Sequence, residues 1–132
     1  MRRLFIAVLC LALSSCGAFV PTVKIAELPI EQQREVRALP IFASQQLNGR
    51  KFVVLGIVEG ISCQNKTWDP PATRALAIEQ AKFYARELKA DGIANLDFGQ
   101  REGTSVRTNC WTSVTVSAEA IQFTDGGPLP GR

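Results

Sequence analysis

Cys63 and Cys110 frame the part of this chain that has to fold, because the residues around and between them read as strand, helix, strand and returning strand. Residues 51–59 (KFVVLGIVE) are almost continuously apolar, which predicts a strand covered on both faces, as in the middle of a sheet. Residues 73–90 predict a helix, with Ala77, Ile78, Ala81, Tyr84, Ala85 and Leu88 on one face at 3.6-residue spacing. Asp69 or Thr73 suits its N-cap, Pro70 and Pro71 suit its approach, and Asp91-Gly92 suits a left-handed stop at the glycine. Residues 93–98 give a second strand, with Ala94, Leu96 and Phe98 on one side and Asn95 and Asp97 on the other. Cys110 to Phe123 alternates over a long final strand. A strand, a crossover helix and a strand pack with the strands parallel. The first and second strands therefore end at one edge, and the last strand starts back from there. That places both cysteines at one end of the sheet, and a bridge needs Cα atoms within about 7 Å. Closing the loop between them is worth about 4 kcal/mol in the chain-entropy model.

The remaining segments read as follows. Residues 39–43 make a short opening strand, residues 44–48 a turn or one helical turn, and Asn48-Gly49 a turn. Residues 60–71 and 99–109 read as loops. The fold class is α/β: a small single domain with one helix packed on a mixed three- to four-stranded sheet, in the order β-β-α-β-β, stapled by a disulfide. Residues 39–124 form this domain, and the glycine- and proline-rich residues 125–132 read as a disordered tail.

A disulfide requires an oxidising compartment, and the amino terminus supplies a route to one. Arg2 and Arg3 precede the apolar residues 4–13 (LFIAVLCLAL). A permanent span needs roughly 20 apolar residues, so this run fits the core of a signal peptide. Leu13-Ser14-Ser15-Cys16 follows, and it resembles the lipobox of bacterial lipoproteins. The resemblance implies cleavage of residues 1–15 and lipidation of Cys16, palmitate included. Gly17, where an aspartate would imply retention at the inner membrane, implies the outer membrane on its periplasmic side. Cys10 leaves with the leader, so Cys63 and Cys110 are the pair that remains. Residues 16–38 read as a lipidated tether interrupted by Pro21 and Pro29. A short helix over Ile30–Ala38 is the alternative to a flexible spacer there.

Charge argues against nucleic acid. The formal net charge of +3 includes Arg2 and Arg3, so the exported chain is close to neutral. The sequence holds no histidine, which removes histidine-based triads, histidine–metal sites and the commonest general base. Bridged cysteines do not ligate zinc, Gly60 stands alone with no phosphate loop around it, and Glu59, Asp69 and Asp97 are scattered. The expectation is a non-enzymatic protein with no metal and no cofactor beyond the covalent lipid.

Partner contact is the chemistry left. Lys82, Arg86 and Lys89 lie on one side of the helix, as a docking stripe for an acidic partner or as solvated charge, with Glu79 able to pair with Lys82. Leu76 and Phe83 leave the main apolar face and either pack on residues 60–71 or form an exposed patch. Trp68 and Trp111 flank the cysteines and either cover the bridge or offer a contact surface.

The string Leu55-Gly56-Ile57-Val58-Glu59-Gly60-Ile61-Ser62-Cys63-Gln64, then Pro70-Pro71, then Leu88-Lys89-Ala90-Asp91, then Cys110 with an aromatic after it, resembles the RcsF family over residues 51–122. That family comprises outer-membrane lipoproteins that sense envelope stress for the Rcs phosphorelay. The resemblance implies a small disulfide-bonded α/β domain acting by protein contact. Its partners would be envelope proteins: β-barrel proteins or their assembly machinery, and an inner-membrane signalling partner. Two departures stand out. The family's second disulfide would need cysteines near Phe98 or Gly99 and near residues 114–116, where this chain has none. Its tether is also longer and richer in proline and lysine. A structural or assembly-assisting envelope lipoprotein is the alternative reading.

Overall fold

The computed structural model describes residues 23–105, 110–127 and 129. The leader, Cys16 and the first part of the tether lie outside the described residues. A 3₁₀ turn (Ile25–Glu27) leads into α1 (Ile30–Ala38), β1 (Ile41–Phe42), α2 (Ser44–Leu47), β2 (Phe52–Gln64), α3 (Arg74–Glu87), β3 (Gly92–Ser105) and β4 (Cys110–Phe123). The strands form one mixed sheet in the order β1-β3-β4-β2. β1 runs parallel to β3, while β4 runs antiparallel to both β3 and β2. β2 and β3 are thus parallel across β4, as a strand–helix–strand unit requires.

α3 lies on one face of this sheet because its contact residues are small. Ala77, Ala81 and Ala85 are fully buried and join Val58, Ile93, Val116, Ala118 and Ala120 in the main core. Gly60 sets the closeness: a Cβ added there would lie 1.8 Å from the carbonyl oxygen of Ala77. The Thr73 hydroxyl caps the helix by accepting from the Leu76 amide at 3.2 Å. At the other end the Ala90 and Lys89 amides bond back to the Ala85 and Arg86 carbonyls, with Lys89 at φ 60°. This is a Schellman stop. The left-handed residue is therefore Lys89 and not Gly92. Gly92 serves a different purpose, because a Cβ there would lie 2.3 Å from the Phe42 ring.

On the opposite face a second, smaller core joins Phe42, Ala94 and Ile121 to Leu47, Phe52 and Phe123. Phe42 meets Phe123 edge-on at 5.2 Å between ring centroids. The Arg50 guanidinium sits 4.2 Å from the Phe123 ring centre and pairs with Asp125 at 2.5 Å. The chain thus stays tied down past the expected start of the tail, through Gly127, whose amide donates to Asp125 at 3.2 Å.

Three expectations need correction. The run at 51–59 is not a covered central strand: β2 is an edge strand, and Val53, Val54 and Ile57 are exposed. A register shift between Val54 and Gly56 turns the apolar run, so that apolar residues appear on both faces although only one is roofed by α3. Residues 60–64 and 99–105 are strand and not loop, because their backbones pair with β4 as far as Thr112 and Cys110. Finally, the described part of the tether belongs to the domain. Val36 of α1 is fully buried and Ile25 nearly so, and burying a valine side chain contributes roughly 1.5 kcal/mol or more.

Candidate functional site

The bridge forms as the topology requires. Cys63 near the end of β2 and Cys110 at the start of β4 are joined, with Cα atoms 5.4 Å apart. Cys110 is fully buried. The Gln64 side chain ties the surroundings together. Its Nε2 donates to the Asp69 carbonyl at 3.1 Å, and its Oε1 accepts from the Thr112 hydroxyl at 3.3 Å. The Asp69 carboxylate turns back to accept from the Lys66 amide at 2.9 Å. The loop after β2 and the first residues of β4 are therefore held beside each other at one end of the sheet.

Trp68 and Trp111 stand at this end, and neither is buried over the bridge: Trp68 is 78% exposed and Trp111 56%. The covering role is excluded for Trp68 by that exposure. The Lys66 ammonium lies 5.5 Å from its ring centre.

The basic stripe has a partner inside the chain. Arg86 pairs with Glu35 of α1, and Lys82 Nζ donates to the Arg37 carbonyl at 3.3 Å. Arg37 in turn pairs with Glu79 at 3.3 Å. Partial burial under α1 pushes the Lys82 ammonium pKa down, against a smaller upward pull from Glu79. α1 thus lies across the residues expected to face an acidic partner, and Lys89 beyond it stays exposed at the helix stop. Phe83 is half-buried and meets Tyr84 edge-on at 5.5 Å, while Leu76 is exposed. The structure therefore does not gather Lys82, Phe83, Arg86, Lys89, Trp68 and Trp111 into one surface. Lys82 and Arg86 serve the α1–α3 contact, Phe83 meets Tyr84 on its own helix, and the tryptophans mark the bridged end.

Gln80 is the residue that sequence reasoning passed over. It is almost fully buried. Its Oε1 accepts from the Ile61 amide at 2.5 Å, and its Nε2 donates to the Val23 carbonyl at 3.4 Å. One side chain thereby clasps β2 and the incoming chain onto α3. The signal was present, since a glutamine beside Ala77 and Ala81 on a small-residue face needs internal partners if it is buried.

Among the described residues no group of histidine, cysteine, aspartate or glutamate is arranged to hold a metal ion. No described helix is long and apolar enough to cross a membrane. No protein-family model matches the sequence, and no curated protein matches it.

Proposed function

We propose that this chain is a lipid-anchored envelope protein of the outer membrane, on its periplasmic side, that reports envelope stress by protein contact, in the manner implied by its resemblance to the RcsF family. The observation that carries the reading is the Cys63–Cys110 bridge, which joins β2 to β4 at the point where that resemblance puts a disulfide. The leader and Cys16 support it from the sequence side. On this reading the domain is a rigid reporter, and signalling depends on which envelope protein touches it. Deleting the gene and measuring capsule production and phosphorelay output under envelope stress tests the idea. Lost induction is the expected result. Unchanged induction together with impaired barrel assembly would replace it with an assembly-assisting role.

A further inference from the structure

We propose that the bridged end of the sheet rests on the bilayer, with Trp68 and Trp111 at the lipid–water interface. This rests on lipidation of Cys16 in the reading above.

Two observations converge on this end. The first is the chemistry of the surface. Trp68 is the most exposed large apolar side chain among the described residues, and Trp111 is also largely exposed. Gln64 holds their segments side by side through Asp69 and Thr112. A ring with an apolar body and one N–H donor is favoured at the headgroup level of a bilayer, and a lysine beside it can extend its ammonium to phosphate. Lys66 stands over Trp68 in that position. The nearby Asp69 carboxylate is occupied by the loop's own amides, at 2.9 Å from Lys66 N and 3.3 Å from Asn65 N.

The second is where the tether enters. The Val23 carbonyl is held by Gln80, which also holds the Ile61 amide. Ile61 is three residues from Gln64 on the same strand. The chain therefore joins the domain on the bridged half of β2, about 10 Å along the strand from Gln64. The Arg50–Asp125 pair and the phenylalanine cluster occupy the far end. Seven peptide steps separate Cys16 from Val23, and at full extension they reach at most about 25 Å. An acyl anchor on so short a lead holds this end nearest the lipid.

The test uses the acylated full-length protein reconstituted in phosphatidylethanolamine–phosphatidylglycerol vesicles with brominated acyl chains and recovered by flotation. Trp68 and Trp111 are the two tryptophans of the chain, so emission reports on this surface alone. Trp68→Phe and Trp111→Phe variants each leave one reporter at an exposed position. The expected result is a blue shift in both variants, with loss of most emission when the lipid is brominated. Floated protein whose emission keeps its water-exposed maximum and is not quenched overturns the proposal while leaving the lipid anchor intact. Tryptophans shielded only after an envelope protein is added overturn it in favour of a protein contact. Protein that does not float overturns the anchor and the proposal together.

Discussion

Replacing Gly60 by alanine measures how much of this fold depends on close approach between α3 and β2. The added Cβ would lie 1.8 Å from the Ala77 carbonyl oxygen, 2.7 Å from the Ala81 nitrogen and 2.9 Å from the Ala77 carbonyl carbon. All three are backbone atoms, so no side-chain rotation relieves the clash. To restore even 3.0 Å the helix must retreat by about 1.2 Å, and a gap of that size forfeits roughly a quarter to a half of each dispersion contact. The contacts at stake are those of Ala77, Ala81 and Ala85 with the sheet. Overpacking alone costs about 1–3 kcal/mol, and the helix-wide loss places Gly60→Ala at the top of that range, about 3 kcal/mol. Gly56→Ala is the control. It sits on the same strand, but its Cβ would meet only the Leu88 Cδ1 atom, at 3.6 Å, an ordinary contact. Urea denaturation followed by circular dichroism compares the two. Gly60→Ala within about 0.5 kcal/mol of wild type, the range of an unremarkable surface change, would refute the packing argument, as would equal losses at both glycines.

Three further outcomes are expected. Cys63→Ala combined with Cys110→Ala lowers unfolding free energy by about 4 kcal/mol, read from denaturant midpoints under non-reducing conditions, and reductant then has no further effect. Val36→Ala, at a fully buried site in α1, costs about 2 kcal/mol; a negligible change in thermal midpoint would mean that α1 is not docked on α3. The hydrogen bonds from Arg50 hold the Asp125 carboxyl well below the usual carboxylate range, aided by the Gly127 and Lys51 amides. The pair's contribution is thus complete above about pH 4, the unperturbed aspartate value, and is lost as pH falls toward the lowered value. Asp125→Asn is therefore less stable than wild type at neutral pH, with the gap narrowing in acid; a gap that widens in acid contradicts this assignment.

Much of the fold was legible in the residues, because local and tertiary signals agreed there. The alanine face of α3 and the alternation of Cys110–Phe123 each point one way, and β4 begins and ends where its pattern does, while of the two cap candidates, Asp69 and Thr73, the structure uses Thr73. The helix Ile30–Ala38 was visible only as an alternative, since its stabilisation comes from Val36 against α3 and from Glu35 and Arg37 meeting α3 residues. Such contacts leave little trace in a nine-residue window. β2 was misplaced within the sheet because an apolar run signals cover on both faces only while the register is regular, and the shift after Val54 breaks that link. The extensions of β2 and β3 were hidden because their sequences show no clear alternation of apolar and polar residues, while their backbones pair with β4. At the candidate site, the bridge followed from topology. The exposure of Trp68 and the internal capture of Arg86 did not, because both depend on where the loop after β2 and α1 finally lie.

The free margin of β2 has a consequence for crowding of the protein. A run such as Val53, Val54, Leu55 and Ile57 on an outer strand invites a neighbouring molecule to add its own strand and begin a growing stack. Here the irregularity after Val54 bends that margin, and the Gln80 side-chain oxygen Oε1 already occupies the Ile61 amide that an invading backbone would need. Around Ile57 and Glu59 the strand is exposed, and Glu59 sets like charge against like when two such stretches meet in register. Molecules crowded together can thus collide often without templating one another.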